Sequence, residues 1–164
     1  MGGQWRINAD GSAPLASQGW TLALRHEDAR GVALFDGAPQ AGGIVDASMT
    51  NAPNLRGGST IIEAGSGSIG SAARPITLDL GEAATLTARA STGIWLNEMS
   101  GSMRVAEMFA GSGGIHLSSA GSILSASGAQ RAVAMQTAAG DIDLVALGGS
   151  IGADGQPLLI AQGA

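Results

Sequence analysis

The sequence predicts an all-β solenoid, in which short strands stack turn upon turn around a shared apolar core. Three observations support this fold class. Apolar and variable residues alternate within short segments, which is the pattern of a strand with one buried face. These segments recur roughly every 20 to 30 residues, a repeat length typical of solenoids. Most of the segments are closed by glycine or serine, residues that favour turns and so predict the corners between strands.

The clearest strands are three related segments in the C-terminal half of the chain. Each begins with isoleucine and has leucine two positions later, at residues 94–96, 115–117 and 142–144. The leading isoleucines are separated by 21 and 27 residues, and a fourth copy, led by Ile62, lies 32 residues before the first. Because alternate side chains of a strand point to opposite faces, we expect the isoleucines and leucines to be buried and the residues between them to face solvent.

The tetrapeptide Gly-Ser-Ile-Gly occurs twice, at 67–70 and at 149–152. When the two copies are aligned at their offset of 82 residues, Pro75 falls on Pro157 and the apolar positions that follow also agree. Glycine and serine allow the chain to bend. We therefore expect both motifs to form the same corner of the solenoid, with the isoleucine directed inward and the following strands in register.

Three further segments fit the repeat less well. Residues 102–110 and 129–139 contain the helix formers Ala, Met, Glu and Gln, but we interpret both as strands because neighbouring copies have strands there. Residues 47–58 contain Pro, Asn and Gly and interrupt the repeat, which predicts a protruding loop. We expect one continuous domain, with irregular turns over residues 1–58 and regular repeats over residues 59–164.

The composition limits the classes of function. All eight basic residues are arginine and the net charge is −5, so the chain lacks the basic surface that would follow a nucleic-acid backbone. The absence of cysteine excludes disulfides and thiolate metal sites. No apolar run approaches the roughly 18 residues of a membrane-spanning helix. The glycine-rich segments match neither phosphate-binding loops nor calcium-binding repeats, so we expect no cofactor and no metal.

The densest polar cluster is the run His26, Glu27 and Asp28. A metal site needs two or three ligands that converge on one point, and a histidine followed directly by two carboxylates does not supply this arrangement. We therefore interpret the run as a solvated turn between the two apolar segments that flank it.

Two pairs of acidic residues raise the alternative of an enzyme. Glycoside hydrolysis uses two carboxylates that flank the scissile bond, and Glu98 with Glu107, or Asp141 with Asp143, would supply such a pair. The acids are scattered along the chain, however, and aromatic residues, which line polysaccharide-binding grooves, make up only 3% of it. We expect these four residues to be solubilising charges on the exterior of strands, and no residue to be catalytic.

Trp95, His116 and Asp143 are the candidate binding residues. Each is the middle residue of an apolar triplet, and the spacing places them in the same slot of successive turns. An outward tryptophan either stacks on a sugar or a partner protein, or lies flat on its own sheet, and the sequence leaves both alternatives open. Trp5 and Trp20 have no comparable register, and we expect them to pack in the core or in a cap.

The segments TLTARASTGIWL, GGIHLSSAGSIL and GDIDLVALGGSIG, within residues 59–163, resemble a known family. They are similar to the interior repeats of filamentous haemagglutinin-like exoproteins, the large adhesins of bacterial two-partner secretion. The resemblance implies a right-handed parallel β-helix, exposure at the cell surface, and a function in adhesion or as a stalk. Residues 1–58 do not share it.

We therefore expect a structural and adhesive segment of a secreted bacterial surface protein, without enzymatic activity. Its expected partner is a glycan or protein of a host or neighbouring cell, with neither nucleic-acid binding nor membrane insertion. The alternatives are a self-assembling extracellular fibre subunit and a β-helix enzyme that acts on polysaccharides.

The two ends of the sequence add an expectation about assembly. The first residues lack a signal-peptide pattern, so we expect a segment of a longer chain. Residues 157–164 carry no charged side chain, although the last turn of a solenoid exposes apolar surface. We expect further turns, or another copy of the chain joined head to tail, to cover this face.

Overall fold

The computed structural model describes residues 5–7, 25–27, 31–36, 43–46, 51–126, 133–154 and 156–163. These residues form the strands β1 (Trp5–Ile7), β2 (Arg25–Glu27), β3 (Gly31–Asp36), β4 (Ile44–Asp46), β5 (Leu55–Gly57), β6 (Ser59–Ala64), β7 (Ile76–Leu80), β8 (Leu86–Ala90), β9 (Ile94–Glu98), β10 (Met103–Ala110), β11 (Ile115–Ser119), β12 (Ile123–Ser125), β13 (Val133–Thr137), β14 (Ile142–Ala146) and β15 (Leu159–Gln162). Within the described ranges, no helix is long and apolar enough to cross a membrane.

Two long sheets form the wall of a solenoid of about four turns. The five-stranded sheet has the order β14-β11-β9-β7-β5, and the eight-stranded sheet has the order β15-β13-β10-β8-β6-β3-β2, with β12 also paired to β10. Apart from β2 and β3, which pair in antiparallel fashion, strands that are neighbours in a sheet belong to successive turns, because the winding chain returns to each sheet once per turn. The pairings within the winding are parallel, as in β11 with β9, which confirms the predicted all-β solenoid.

Side chains from both sheets meet in a narrow apolar interior. Ile69 joins the five-stranded sheet through single bridges to Ile44 and Ile94, and the column continues through Ile115 to Ile142. We call these five residues the isoleucine column. The first four are fully buried, and each such side chain contributes roughly 1.5–3 kcal/mol to stability.

A second column of the five-stranded sheet runs beside the isoleucine column. Ile76, Leu96, Leu117 and Leu144 lie in register in four successive turns and form what we call the leucine column. The first three are at most 2% exposed. Leu144 is only half-buried, as is Ile142, because β14 is the outermost strand of this sheet. The predicted burial is therefore confirmed for residues 94, 96, 115 and 117 and is wrong for residues 142 and 144.

The fourth repeat copy is not where the sequence placed it. Ile62 is buried, but it lies in β6 of the eight-stranded sheet, opposite Ala88. The residue that precedes Ile94 in the isoleucine column is Ile69, in the first Gly-Ser-Ile-Gly motif. An alternating apolar segment looks the same in either sheet, so the alternation identified a strand but not the sheet to which it belongs.

A bulge explains the apolar spacing of residues 102–110. The inward residues of β10 are Met103, Val105, Met108 and Ala110, all buried. The register against β8 shifts between Val105 and Glu107, so one extra residue interrupts the period of two. The resulting apolar spacing of three is compatible with a helix as well, as are the helix-forming residues of this segment. The prediction of a strand is confirmed here and for Val133–Thr137, where a similar shift occurs, while residues 127–132 lie outside the described part of the chain.

The two Gly-Ser-Ile-Gly motifs stand at different corners, which contradicts the prediction. Ile69 bridges Ile44 and Ile94, whereas Ile151 bridges Ile123, which pairs with Met103 in the eight-stranded sheet. The strands after the motifs also differ, because β7 belongs to the five-stranded sheet and β15 to the eight-stranded one. Ile69 is fully buried, but Ile151 is 50% exposed.

What the two motifs share is a local turn. In each, the serine hydroxyl donates to the carbonyl oxygen of the second glycine, at 3.0 Å for Ser68 and 2.8 Å for Ser150. The second glycines, Gly70 and Gly152, have φ of 68° and 77°, which side chains disfavour. A tight reverse turn follows Gly70 over residues 71–74. Two reciprocal backbone hydrogen bonds join Ser71 with Arg74, and two join Ala153 with Gln156 after the second motif. The repeated sequence therefore encodes a short excursion, in which the chain leaves the sheet after the motif and then rejoins a sheet.

The predicted loop at residues 47–58 is wrong in its last part. Leu55–Gly57 forms β5, which pairs with β7, and Leu55 is buried. Asn54 is also buried. Its side-chain oxygen Oδ1 accepts a hydrogen bond from the Thr77 backbone N–H, and its side-chain nitrogen Nδ2 donates one to Asp46 Oδ1, both at 2.7 Å. This network lets a polar, Pro-containing segment join the wall. Residues 47–50 lie outside the described part.

Candidate functional site

The predicted binding residues form one stack on the outer surface of the five-stranded sheet. Trp95 pairs with His116 in the next turn, and His116 pairs with Asp143 in the turn after that. The indole and imidazole rings are parallel to within 8°, and their centroids are 5.1 Å apart. This separation is close to the roughly 4.8 Å between paired strands, so the winding itself brings the rings together.

The sequence predicted that both side chains face solvent. The structure shows that the two rings are half-buried. The outer rim of the indole lies directly over Gly93, where a Cβ atom would come within 2.4 Å of the Trp95 ring carbon Cη2. The imidazole of His116 covers one face of the indole. The alternative that Trp95 lies against its own sheet is thus the one that the structure supports.

Asp143 completes the stack in the outermost turn and is exposed, as predicted. Its Oδ2 lies 4.0 Å from His116 Nδ1, with side-chain exposures of 68% and 32%. At this distance the pair is an ion pair only when the histidine is protonated, and such exposed pairs are worth about 0–1 kcal/mol. The contact between His116 and Asp143 therefore adds little to the stability of the fold.

The row beside the stack is polar in two of its turns and apolar in the outermost one, where Val145 is 42% exposed. Asn97 and Ser118 are outward residues, lie in register in successive turns and are half-buried. The surface can therefore contact a ligand through the free edges of two aromatic rings and through neighbouring amide and hydroxyl groups. The indole face that His116 covers is not open to a stacked sugar ring.

Glu98 is not a solubilising charge on the exterior, and this prediction is wrong. The residue is 1% exposed and faces the interior, in register with Leu78 of the preceding turn and Ser119 of the following one. Its carboxylate accepts the Leu80 backbone N–H at 3.1 and 3.3 Å and the Ser100 backbone N–H at 3.3 Å. The alternation of residues 94–98 contained the signal, because position 98 has the same parity as the buried positions 94 and 96.

The interior raises the pKa of Glu98 above its ordinary value. Desolvation of the carboxylate is the main cause, because the charged form loses its contact with water. The hydrogen bonds from Leu80 and Ser100 act in the opposite direction, and the nearby charge of Asp79 adds to the rise. The group is a buried acid that is held by backbone donors.

Glu107 lies on the outside of the other sheet, as predicted. It accepts a hydrogen bond from Arg89 Nη2 at 2.6 Å, and Arg89 Nε lies 3.9 Å from a Glu63 oxygen. These side chains are about half exposed and form a charged ladder across three turns. Because Glu98 points inward and Glu107 outward, the structure does not bring them together on one substrate.

Asp141 and Asp143 are both exposed, as predicted, on either side of the half-buried Ile142. The prediction of a solvated turn at residues 26–28 is wrong for its first two residues. His26 and Glu27 lie in β2, which pairs in antiparallel fashion with β3 to form a hairpin. Asp28 lies outside the described residues, as do Trp20 and the side chain of Trp5, whose backbone belongs to β1.

In the part of the chain that the structure describes, no group of three or more histidine, aspartate or glutamate residues could hold a metal ion. The candidate site is the Trp95–His116–Asp143 stack with its polar neighbours, on the outer surface of the five-stranded sheet. Comparisons of the chain with protein-family models, with curated proteins and with solved structures found no match.

Proposed function

We propose that the chain is a structural and adhesive segment of a secreted bacterial surface protein. In this role the solenoid is a stiff rod, and its outer surface binds glycans or proteins of a host or neighbouring cell. The resemblance of residues 59–163 to filamentous haemagglutinin-like repeats supports secretion and surface exposure. The geometry supports the role of a rod that presents a surface.

The observation that carries the proposal is the unbroken bonding between turns. Along the isoleucine column, backbone hydrogen bonds of 2.8–3.0 Å join each turn to the next, from Ile44 to Ser68, Ile69 to Gly93, Ile94 to Gly114 and Ile115 to Asp141. Bending the rod would lengthen several of these bonds at once. The same register repeats outward positions at a fixed spacing, so weak contacts with a repetitive ligand add up.

The outer face of the five-stranded sheet is the proposed binding surface. Beads that carry many copies of the chain are tested on an array of immobilised glycans and on cultured epithelial cells. We expect the beads to bind, and we expect Trp95→Ala to reduce binding at least about tenfold through lost avidity. Far-ultraviolet circular dichroism verifies that the variant remains folded.

Phe109→Ala is the matched control for this experiment. Phe109 is also an outward aromatic residue, but it lies in β10 of the eight-stranded sheet and is 36% exposed. We expect this variant to bind like the unmodified chain. Beads that bind no better than albumin-coated beads, or equal losses for both variants, would contradict the proposal.

An enzyme acting on polysaccharides is the less supported alternative. It requires two carboxylates that converge on one bond, yet Glu98 and Glu107 lie on opposite sides of the wall. Asp141, which precedes β14, and Asp143 within it are both exposed at the outermost strand of the five-stranded sheet. We therefore propose a non-enzymatic role. Release of reducing ends from a polysaccharide panel, lost in Asp143→Asn, would favour the enzyme.

Self-association is a second proposal, which a separate observation favours. In the outermost described turn, Ile151 and Ile160 occupy inward positions, in register with the buried Ile123 and Met135, yet are 50% and 46% exposed. Apolar side chains beside free strand edges promote association with another chain. At the opposite end, the described part of the eight-stranded sheet ends at β2, which pairs in antiparallel fashion with β3.

Light scattering over a concentration series tests this second proposal. We expect the mass of the chain to grow with concentration and the double variant Ile151→Lys, Ile160→Lys to remain monomeric. Ile61→Lys is the control, since Ile61 is an isoleucine of similar exposure, 41%, on the outer face of β6. A chain that is monomeric at every concentration would exclude self-association without bearing on adhesion.

A further inference from the structure

The interior of the solenoid contains a carboxylate where two turns meet. Glu98 ends β9, and its two oxygens accept the backbone N–H of Leu80 at the end of β7 in the preceding turn. One of these oxygens also accepts the N–H of Ser100 in its own turn. The side chain therefore bonds together two corners that follow one another along the rod, at 1% exposure.

A second contact spans the same corner on its outer side. The Ser100 hydroxyl donates a short hydrogen bond to Asp79 Oδ1, and Asp79 Oδ2 lies 3.4 Å from Arg56 Nε. Asp79 is the charged residue that acts on Glu98, and Arg56 offsets part of its charge. The polar groups of the corner thus form a chain from Arg56 in β5 to Glu98 in β9.

The other surroundings of Glu98 are uncharged or lie outside the wall. Leu78 of β7 and Ser119 of β11 are its inward neighbours, and the Ser119 hydroxyl donates to the Gly101 carbonyl oxygen at 2.9 Å. On the exterior, Arg104 Nε of β10 donates to the Glu82 carbonyl oxygen at 2.8 Å. Ionisation of the Glu98 carboxyl group is therefore the main change of charge that can occur inside this corner.

We propose that Glu98 makes this corner a pH-sensitive junction, which joins its two turns more firmly in mildly acidic than in neutral solution. Burial of an ionised carboxylate away from water is unfavourable in free energy, and hydrogen bonds from the backbone N–H groups offset only part of this penalty. When the carboxyl group takes up a proton, the cost disappears while its carbonyl oxygen still accepts from Leu80 and Ser100.

The sign of the effect follows from the raised pKa of Glu98. In the unfolded chain the carboxyl group has its ordinary pKa, so the folded protein retains the proton to a higher pH. The contribution of Glu98 to stability is complete below the ordinary pKa and is lost as the pH rises through the folded pKa.

Thermal unfolding of the full chain and of Glu98→Gln tests the proposal. Glutamine keeps the shape and one acceptor oxygen but cannot ionise. We expect the Tm of the unmodified chain, relative to that of Glu98→Gln, to rise as the pH falls from about 8 to about 5. Glu107→Gln is the control and should not show this rise. The proposal would be overturned if the Tm of the unmodified chain minus that of Glu98→Gln stays constant, or decreases, as the pH falls.

A direct titration keeps the test decisive if the variant fails to fold. The side-chain carboxyl carbon of Glu98 in the unmodified chain is followed by ¹³C nuclear magnetic resonance. We expect its midpoint above that of an ordinary glutamate, and we expect Asp79→Asn to lower it, because the substitution removes a nearby negative charge. A midpoint at or below the ordinary value would refute the junction.

Discussion

Truncation of the leucine column at successive turns should cost less stability toward the outermost turn. Leu96 lies between Ile76 and Leu117, which are 0% and 2% exposed. Leu117 has the buried Leu96 on one side and the half-buried Leu144 on the other. Leu144 has a neighbour on one side in the described structure. The three substitutions are chemically identical, so the environment alone sets their order.

The expected magnitudes follow from transfer and cavity effects. Leu→Ala removes three carbons at roughly 0.8 kcal/mol each, or about 2.4 kcal/mol for a fully buried site. A cavity that cannot collapse raises the total to as much as about 5 kcal/mol. We expect the free energy of unfolding to fall by about 4 kcal/mol in Leu96→Ala and by about 3 kcal/mol in Leu117→Ala, because the outer neighbour of Leu117 can move into the cavity. We expect a loss of about 1 kcal/mol in Leu144→Ala, because Leu144 is partly exposed to solvent.

Urea unfolding followed by circular dichroism measures the three free energies. An unchanged dependence on urea concentration across the series indicates that the same structure unfolds each time. Equal losses for Leu96→Ala and Leu144→Ala would refute the reasoning, because they would mean that the outer turn is as well packed as the inner one.

Two further predictions concern the aromatic stack. Gly93→Ala should displace the indole of Trp95, cost about 1–3 kcal/mol and shift the tryptophan fluorescence, whereas Gly101→Ala, whose Cβ would meet nothing within 4 Å, should be neutral. His116→Ala should cost about 0.5–1.5 kcal/mol in urea unfolding, since it removes a stacked ring but no core packing. A loss larger than that of Leu117→Ala would place His116 inside the wall.

The alternation of apolar residues was sufficient to predict the strands of the regular repeats and the side of the wall that most of their residues face, but not β2 or β5. Counting 21 and 27 residues between the leading isoleucines also predicted that Trp95, His116 and Asp143 would lie in register. The half-burial of Trp95 was not predictable in this way, because it depends on the bare surface that Gly93 leaves beneath the indole.

Two errors have a common physical origin. Glu98 was assigned to the exterior because glutamate is rarely buried, although the alternation placed it inside. The local pattern was correct, and backbone donors of Leu80 and Ser100 make the exception possible. Ile62 and Ile69 were confused because a repeat in sequence does not specify the sheet in which a strand lies.

The excursion after Gly70 has a consequence for engineering. Ile69 and Ile76 pair with Ile94 and Leu96, so the chain leaves the ladder and rejoins it after advancing only two positions of the partner strand. Ser71 and Arg74 close its base by reciprocal hydrogen bonds of 2.9 and 3.1 Å, and Ala72 and Ala73 at its tip are exposed. A guest peptide spliced between these alanines would be displayed at a fixed height on the scaffold. Since the entropy of closing a loop grows slowly with its length, the graft can be long without loosening the turns that hold it.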